Sequence, residues 1–369
     1  MAGYHLGNLM YSVIKKNQWK KTVLLVDSSI FDAIKSLNES TLKIVLISNK
    51  EKKLIGTITD GDIRRFLLKN KSLNTSVDKI MQKKPFYIFE NMNDEYIYTI
   101  LRKKKISSLP ILDSKMNIKG LIALGEYNYV IKNKHKNIKK FSNPFVIMAG
   151  GMGKRMRPLT NKVPKPMLIL NGKPLLEHII VKARDEGFIN FYISVNYLSN
   201  QILKYFLDGK HLSVNIKYIE EKKYLGTAGS LSYLKKIKEK INHPFIVCNA
   251  DIYSDINFSE ILKFHKKRKA DATMGMRVYE NSNLYGVIET RGYQIKNIIE
   301  KPTSYHKVNA GIYVIEPKLL SLLKEDKIKS MIDFFLEIPK KIVYPIYESW
   351  LDIGHKEDYL KVKNDKKKK

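Results

Sequence analysis

From residue 144 onward, short apolar runs alternate with segments whose apolar positions recur at helical spacing. The apolar runs predict buried strands; four of them are "PFVIMAGG" (144–151), "NFYISVNYL" (190–198), "VNIKYIEE" (214–221) and "PFIVCNAD" (244–251). Residues 174–188 predict a helix that ends at Gly187, and residues 199–209 predict one that begins with Ser199 as N-cap and ends at Gly209. This alternation predicts a mostly parallel sheet covered on both faces. Such a sheet binds ligands at the carboxyl ends of its strands.

An earlier part of the chain repeats a different pattern. The segment "KIVLISNKEKKLIGTITDGDIRRFLL" (43–68) predicts strand, turn, strand and helix, and "SLPILDSKMNIKGLIAL" (108–124) repeats the first three of these elements. Gly56 and Gly120 occupy matching places 64 residues apart. The repeat therefore predicts two small α/β modules that pack against each other.

A polar, basic segment without periodicity, "KNKHKNIKKFSN" (132–143), follows the repeat and predicts a linker. On this basis we predict two small modules, a linker and a larger α/β domain. Their expected bounds are 1–72, 73–135, 136–143 and 144–369.

Composition narrows the function classes. The chain of 369 residues has a formal net charge of +31, but its lysines are spread along nearly every predicted helix. This spread favours solvated faces over a nucleic-acid surface, which would need a basic stripe with interleaved aromatic residues. Cys248 is the only cysteine and is expected to pack in the core. No run approaches the ~18 apolar residues of a membrane span. The first ten residues lack a signal-peptide pattern, so we expect a cytoplasmic protein that binds neither nucleic acid nor membrane.

The two small modules resemble a tandem pair of CBS domains, and "GTITDGDIRR" (56–65) carries the resemblance most specifically. In that family the cleft between modules often binds adenine nucleotides. The resemblance implies that Thr59 and Asp62 hold the phosphate and ribose of such a ligand, as a hydroxyl and a carboxylate can. Ala123 and Glu126 replace the corresponding pair in the second module, which puts that second site in doubt. The alternative is a pair that is only structural or dimerising.

The stretch "MAGGMGKRMRPLTNKVPKP" (148–166) combines three glycines with five cations and no acid. Its spacing matches neither a P-loop nor a dinucleotide-binding fingerprint, because Met148 and Met156 stand where those motifs need glycine. What remains is a loop whose amides can point at phosphate oxygens because Gly150, Gly151 and Gly153 carry no side chains. The two methionines inside it, Met152 and Met156, are expected in the core.

This loop closely resembles the signature of sugar-1-phosphate nucleotidyltransferases, and six further blocks resemble that family in order. The six blocks are "YLGTAGSL" (224–231), "VCNADIY" (247–253), "YGVIE" (285–289), "IIEKP" (298–302), "NAGIYV" (309–314) and "YESWLDIGHKEDYL" (347–360). The resemblance implies a Rossmann-like, GT-A-like α/β domain with a mixed, mostly parallel sheet. It also implies attack of a sugar 1-phosphate on the α-phosphorus of a nucleoside triphosphate, with release of pyrophosphate.

The resemblance also assigns roles to individual residues. Arg155 would contact the triphosphate and Lys165 would neutralise phosphate near the reacting centre. Asp251 and Asp352 would hold Mg²⁺, a cation that prefers carboxylate and phosphate oxygens. Each of these aspartates follows an apolar strand-like run, so both are expected at one end of the sheet. The family positions that contact the hexose or its phosphate correspond to Gly286, Glu300, Lys301 and Asn309.

The choice of base depends on Glu221, which lies five residues before Gly226 in the nucleotide-binding block. In this family the residue at that place reads the Watson–Crick edge of the base. A carboxylate offers only acceptors, which match the two adjacent donors of guanine better than the edge of uracil. GTP is therefore the expected donor. The alternative is that Glu221 is a solvated loop acid like Glu220.

The whole architecture resembles the CBS-fused guanylyltransferases of legionaminic acid biosynthesis, which act on glucosamine 1-phosphate. Mannose-1-phosphate and heptose-1-phosphate guanylyltransferases share the same catalytic blocks, so these sugars remain alternatives. A nucleotide-sensing protein with a silent transferase fold is a further alternative, and the intact Arg155, Lys165, Asp251 and Asp352 argue against it. We expect the enzyme to be a homo-oligomer that binds a nucleoside triphosphate and a sugar 1-phosphate, with the CBS pair as a nucleotide-responsive regulator.

Overall fold

A computed structural model describes residues 4–6, 9–14, 16–40, 42–69, 72–90, 92, 97, 100–101, 106–124, 140–237 and 241–365. The chain divides into two compact units. The first contains Met1–Asn137 and Glu280–His306, and the second contains Ile138–Tyr279 and Lys307–Lys369. Most of the predicted linker lies outside the described residues. No helix in the described ranges is long and apolar enough to cross a membrane.

The first unit is built from short strands and three helices in the described part of residues 1–124. Its strands are β1 (Tyr4–Leu6), β2 (Leu9–Val13), β3 (Val23–Leu25), β4 (Ile44–Ser48), β5 (Leu54–Thr59), β6 (Ile88–Phe89), β7 (Ser108–Leu112) and β8 (Ile118–Leu124). Its helices are α1 (Lys16–Trp19), α2 (Ile30–Ser40) and α3 (Asp60–Leu67), with 3-10 turns at Lys20–Thr22 and Val77–Lys79. The strands form a five-stranded sheet, β1-β2-β8-β7-β6, and a three-stranded sheet, β3-β4-β5.

The predicted internal repeat is confirmed by the pairing of these strands. In each module one strand runs parallel to the first strand of an antiparallel hairpin, as β3 does to β4 and β6 to β7. Gly56 lies opposite Ile47 and Gly120 lies opposite Ile111, and in both hairpins the register shifts directly after that pair. The two hairpins therefore have the same irregularity at equivalent positions, as two copies of one module should.

The two modules bury one common core. Leu46 and Leu54 of the first module pack in the same buried cluster as Leu112 and Leu121 of the second. The backbone joins them as well, because the amide of Leu54 donates to the carbonyl of Met116 at 3.1 Å. Each small sheet thus covers apolar surface that it could not bury alone.

The first unit also includes a separate two-stranded hairpin formed by β17 (Val287–Arg291) and β18 (Gln294–Ile299). Its strands are antiparallel and Gly292 makes the turn with φ +59. Both strands are exposed over nearly their whole length. Three of the four predicted sugar contacts lie on or beside this hairpin.

The second unit contains longer α/β elements. Its strands are β9 (Phe145–Met148), β10 (Ile169–Leu170), β11 (Lys173–Pro174), β12 (Asn190–Val195), β13 (Asn215–Glu220), β14 (Phe245–Asn249), β15 (Ile252–Ser254), β16 (Ala272–Ser282), β19 (Thr303–Ile315), β20 (Lys341–Ile346) and β21 (Trp350–Asp352). Its helices are α4 (Leu175–Asp185), α5 (Ser199–Phe206), α6 (Gly226–Gly229), α7 (Phe258–Arg268), α8 (Met331–Glu337) and α9 (Lys356–Asp365). 3-10 helices occur at Lys154–Met156, Lys165–Met167, Lys210–Leu212, Ser230–Lys236 and Pro317–Leu322.

The predicted mixed, mostly parallel sheet is present as seven strands in the order β13-β12-β9-β14-β19-β16-β20. The four predicted apolar runs form β9, β12, β13 and β14, which are mutually parallel, while β19 runs antiparallel to β14. Successive side chains of β9 enter different cores, Phe145 and Ile147 on one face and Val146 on the other. The sheet is therefore covered on both faces, which explains why β9 and β14 are largely apolar. The edge strand β13 instead combines buried and exposed residues.

The helix ends follow the expected signals with one correction. α4 ends before Gly187, which has φ +105 and donates its amide to the carbonyl of Arg184 at 2.8 Å. For α5 the predicted N-cap was wrong by one residue, because Leu198 takes the cap position with φ +51 and Ser199 is the first helical residue. Cys248 packs in the core as predicted, and complete burial raises the pKa of its thiol far above the ordinary value.

Candidate active site

A cavity of about 340 Å³ lies at the carboxyl ends of β9, β13 and β14. This is the position that the predicted sheet assigns to a ligand. Nine residues that the sequence singled out for nucleotide binding, catalysis or metal binding line it together: Gly150, Gly151, Gly153, Arg155, Lys165, Glu221, Gly226, Asp251 and Asp352. They come from five separate stretches of sequence, so their convergence is a product of the fold.

The glycines after β9 do three different things. At Gly151 the space that a side chain would occupy is open, with no atom of the described residues within 4 Å of the place where a Cβ would lie. Gly153 adopts φ +60 and its carbonyl accepts the hydroxyl of Thr160 at 2.8 Å, so this glycine allows a left-handed turn. A Cβ on Gly150 would lie 2.8 Å from Oε1 of Glu221. The loop thus leaves backbone open to the cavity at Gly151 and keeps room for a carboxylate at Gly150.

The two cations predicted to bind phosphate differ in their surroundings. Arg155 is exposed, and its Nη1 lies 3.5 Å from Nε2 of His355. Lys165 is largely buried, with 12% of its side chain exposed, and its Nζ donates to Oδ2 of Asp251 at 2.5 Å. Of the methionines expected in the core nearby, Met156 is fully buried, but Met152 is exposed. That prediction was wrong for Met152, which lies in the open glycine loop.

Asp251 and Asp352 meet through a small ribbon rather than through the main sheet. Asp251 follows β14, as predicted, whereas Asp352 ends β21, which pairs antiparallel with β15. Ile252 lies opposite Asp352, and the amide of Ile353 donates to the carbonyl of Asp251 at 3.0 Å. The expectation that both aspartates end strands of the sheet is therefore corrected for Asp352.

The two carboxylates are only partly satisfied by the protein. Oδ1 of Asp251 and Oδ1 of Asp352 are buried without a hydrogen-bond partner among the described residues. Burial raises the pKa of Asp352, and the negative charge of Asp251 raises it further. Two adjacent buried carboxylate oxygens without donors are what a hard cation would satisfy. The described residues contain no cluster of three or more possible metal ligands, so water and phosphate would have to supply the remaining ones.

Glu221 is buried at the cavity wall, with 8% of the residue exposed, whereas its neighbour Glu220 is exposed. The hydroxyl of Ser194 donates to its Oε1 at 2.5 Å, and the amide of Leu225 donates to its Oε2 at 3.2 Å. Burial raises the pKa of Glu221 above its ordinary value. The alternative of a solvated loop acid therefore does not fit Glu221.

Gly226 lines the cavity and is also required by packing. It has φ +78, and a Cβ there would lie 2.5 Å from the carbonyl oxygen of Lys329. The same segment holds the loop by hydrogen bonds, since the amide of Ala228 donates to the carbonyl of Lys329 at 3.0 Å and the amide of Met331 donates to the hydroxyl of Thr227 at 2.8 Å. The loop at Gly226 is thus held from one side by backbone contacts with Lys329 and Met331.

The four predicted sugar contacts lie on β19 or on and beside the β17–β18 hairpin. Gly286 and Glu300 are neighbours in the hairpin of the first unit, where a Cβ on Gly286 would lie 3.0 Å from Oε2 of Glu300. Lys301 follows β18 with φ +44. Asn309 lies on β19, where its Nδ2 donates to the hydroxyl of Tyr313 at 2.8 Å. Their role in binding sugar stays a prediction.

In the first CBS-like module, Thr59 and Asp62 contact each other at the start of α3. Oδ2 of Asp62 accepts from the hydroxyl of Thr59 at 2.6 Å and from its amide at 2.8 Å. Oδ1 of Asp62 accepts from Arg65 at 2.5 Å. This arrangement is a helix cap, so ligand binding by the pair stays a prediction. Glu126 of the second module lies outside the described residues.

Sequence reasoning missed several residues that build the site, among them Ser194, Thr227, Tyr224 and Thr160. A signal existed for Ser194, because it is the one non-aromatic polar residue in the apolar run "FYISV" (191–195). A polar group in a buried strand needs a partner, and Glu221 is that partner. Thr227 accepts from the amide of Met331, 104 residues away, which local patterns do not reveal.

Residues 145–369 match the family described as nucleotidyl transferase, and residues 20–69 and 77–127 match the CBS domain. Mannose-1-phosphate guanyltransferase beta-A of Xenopus laevis is 30% identical over 223 residues, 58% of this chain and 62% of that protein. Mannose-1-phosphate guanylyltransferase catalytic subunit beta of Drosophila melanogaster is 32% identical over 223 residues, 58% of this chain and 60% of that protein. The chain thus spans about three-fifths of the length of these relatives.

The crystal structure of HddC from Yersinia pseudotuberculosis is 25% identical, with a TM-score of 0.48 over 60% of this chain and 99% of that one. Because the nucleotidyl transferase match covers more than half of the sequence, the chain belongs to the nucleotidyl transferase family.

Proposed function

We propose that this chain transfers GMP from GTP to a sugar 1-phosphate, giving a GDP-sugar and pyrophosphate. The observation that carries the proposal is the convergence of the glycine loop, Arg155, Lys165, Asp251 and Asp352 in one cavity. Family membership and two relatives named as mannose-1-phosphate guanylyltransferases support the reaction class.

In the proposed reaction an oxygen of the sugar 1-phosphate forms a bond to the α-phosphorus of GTP, and the bond from that phosphorus to the β-phosphate oxygen breaks. The attacking oxygen is already anionic, so no general base is needed. The difficulty is the repulsion between two anions and the charge that develops on the leaving pyrophosphate. Residues that place positive charge and amide N–H groups around the phosphates therefore accomplish most of the catalysis.

Arg155 and Lys165 are suited to different parts of this task. Arg155 is exposed at the cavity, so its guanidinium can reach a triphosphate with two parallel N–H groups. Lys165 is fixed by Asp251 at 2.5 Å. An ammonium has three N–H groups, so Lys165 can hold Asp251 and still donate to a phosphate oxygen of the reacting group.

Asp251 and Asp352 fit Mg²⁺, because each has a buried Oδ1 without a donor among the described residues and the two lie at the same end of one ribbon. When bound there, the cation would neutralise phosphate oxygens and the leaving pyrophosphate. The two residues would hold it, and Lys165 would keep Asp251 in place from its other oxygen.

The preference for GTP rests on Glu221. Ser194 and Leu225 each occupy one acceptor site on its two oxygens, and a carboxylate has about four such sites. Ser230 is a further hydrogen-bond partner of this carboxylate, so the adjacent N–H groups of guanine would use its remaining acceptor capacity. Ser194 and Leu225 would also fix the orientation of the carboxylate, which a selective contact requires.

For the acceptor we propose glucosamine 1-phosphate, because the combination of a CBS pair with this transferase domain resembles the guanylyltransferases of legionaminic acid biosynthesis. Mannose 1-phosphate is the second candidate, supported by the names of the relatives. Heptose 1-phosphate is the third. Gly286, Glu300, Lys301 and Asn309 would contact the sugar in each case.

The CBS pair is proposed to bind an adenine nucleotide and to change the rate or assembly of the enzyme. Asp62 already accepts from Thr59 and Arg65, so a ribose would have to replace part of this cap. Calorimetry with AMP and ATP on the full chain tests the proposal, with Thr59→Ala as the matched variant. Absence of binding would leave the pair with a structural role.

The reaction itself is tested by a matrix of GTP, ATP, UTP, CTP and dTTP against glucosamine, mannose and heptose 1-phosphates with Mg²⁺, followed by pyrophosphate release. The proposal expects the highest kcat/KM for GTP with glucosamine 1-phosphate. A preference for UTP or dTTP would refute the guanylyl transfer, and no turnover with any pair would refute the enzyme. Lys165→Met should lose turnover, whereas Lys210→Met, which changes an exposed lysine outside the cavity, should not.

A further inference from the structure

Tyr224 is the one aromatic residue among the described residues that line the cavity. The residue is 54% exposed. The other lining residues are glycines, small or aliphatic side chains, and charged or polar groups. A half-exposed ring at the wall of a polar cavity leaves an apolar face in water that a flat ligand could cover.

The backbone holds Tyr224 firmly in this place. On one side, the amide of Glu221 donates to the carbonyl of Val195 at 3.0 Å. On the other side, Leu225 is fully buried, and its carbonyl accepts from the amide of Lys329 at 2.9 Å. The loop between these anchors is short, and its side chains at 222–224 are all exposed. The backbone at Tyr224 is therefore held in place at the cavity wall, which lowers the entropy cost of a contact made by its side chain.

We infer that the ring of Tyr224 stacks on the nucleobase of the bound triphosphate. This inference rests on the proposed function, and it adds a contact of another kind to that function. Glu221 lies three residues earlier and would meet the hydrogen-bonding edge of the base, which leaves the flat face of the base uncovered. Tyr224 supplies the surface for that face. Stacking accepts every base, so Tyr224 contributes affinity while Glu221 contributes selectivity.

Calorimetry on the full chain separates the base contact from the phosphate contacts when GTP and tripolyphosphate are compared as ligands. Tyr224→Ala and Tyr224→Leu should weaken GTP binding by about 10-fold, the effect of losing one stacked base. Both variants should bind tripolyphosphate as the wild type does. Tyr224→Phe keeps the ring and should bind GTP normally. Tyr293→Ala removes a fully exposed tyrosine outside the cavity and should leave GTP binding unchanged.

Three results would overturn the stacking contact: normal GTP binding by Tyr224→Ala, normal GTP binding by Tyr224→Leu, or an equal loss of GTP and tripolyphosphate binding. A second readout is independent of affinity, because the fluorescence of Tyr224→Trp should be quenched by GTP and not by tripolyphosphate. Failure of the proposed function would be a different result. In that case the wild type itself would bind no nucleoside triphosphate, whereas failure of the stacking alone leaves wild-type GTP binding intact.

Discussion

In the absence of divalent cations, replacing Asp251 or Asp352 by asparagine should change the free energy of unfolding in opposite directions. Asp251→Asn removes the carboxylate that accepts from Lys165 at 2.5 Å. Asp352→Asn removes a negative charge whose Oδ1 is buried without a donor among the described residues. The first change breaks an ion pair, and the second relieves an unfavourable burial of charge next to Asp251. Both variants should nevertheless lose most of their turnover.

The degree of burial sets the size of the first effect. The side chains of Lys165 and Asp251 are 12% and 22% exposed. Fully exposed pairs contribute about 0–1 kcal/mol, whereas removing one partner of a buried pair costs about 3–5 kcal/mol. The Lys165–Asp251 pair lies between these cases, so Asp251→Asn should lower the free energy of unfolding by about 1–3 kcal/mol. Asp352→Asn should be at least as stable as the wild type, because it loses charge and no hydrogen bond to Oδ1.

Thermal unfolding in a chelating buffer measures the stability of both variants, and pyrophosphate release at saturating Mg²⁺ measures turnover. A loss of about 10²–10³-fold or more in rate is expected for either residue. Asp185→Asn is the matched control, since its carboxylate is 61% exposed and accepts from the neighbouring Arg184. An Asp352→Asn variant as destabilised as Asp251→Asn would refute the charge argument. Normal turnover in either variant would remove that residue from the reacting centre.

Three further changes test other parts of the second unit. Glu186→Gln should stabilise the protein relative to wild type at about pH 8 but not at about pH 4. Burial raises the pKa of Glu186 to about 7, so keeping this carboxylate ionised in the folded protein costs up to about 3 kcal/mol above that pH, and this cost is absent below the pKa of the unfolded chain. Denaturant unfolding at both pH values measures the difference in stability, and parallel pH profiles for the two proteins would contradict the prediction. Gly226→Ala should lower the free energy of unfolding by about 2 kcal/mol or more, and by more than Gly172→Ala does. Both glycines have positive φ, but only the alanine Cβ at 226 would lie 2.5 Å from a carbonyl oxygen, that of Lys329. Equal melting temperatures for the two variants would show that the loop at Gly226 can move to make room. Glu221→Gln should lower the ratio of kcat/KM for GTP to kcat/KM for UTP. An unchanged ratio would exclude this residue from base selection.

The parts of the fold that follow from local patterns could be predicted from the sequence. β9, β12 and β14 were recognisable because strands buried on both faces are largely apolar. The repeat was recognisable because Gly56 and Gly120 stand at the same register in two hairpins. In both cases the signal lies in short continuous stretches that can be read without knowing how distant segments pair. The order of the seven strands and the antiparallel direction of β19 have no such local signal.

In the candidate site, too, some features could be predicted from the sequence and others could not. Resemblance selected nine residues that line one cavity, but it did not indicate how they are held there. Asp352 arrives through the β15–β21 ribbon rather than on the main sheet, and the Lys165–Asp251 contact joins residues 86 positions apart. Glu221 depends on Ser194 from another strand. These are long-range contacts, and they depend on how strands are paired.

The charges that line the cavity bear on how a triphosphate can enter it. Among the described lining residues, three cations (Lys154, Arg155 and Lys165) face three carboxylates (Glu221, Asp251 and Asp352). The cavity is formally neutral although the chain carries a net charge of +31. The overall charge would steer an anion toward the protein, but it supplies no excess of positive charge inside the cavity. A triphosphate that arrived alone would meet the donor-free oxygens of Asp251 and Asp352 as repulsive neighbours. Binding should therefore be weak for the free nucleotide and strong for its Mg²⁺ complex, so the affinity for GTP measured by calorimetry should fall sharply when Mg²⁺ is removed. Equal affinity with and without Mg²⁺ would show that Arg155, Lys165 and the loop amides are sufficient to hold the phosphates.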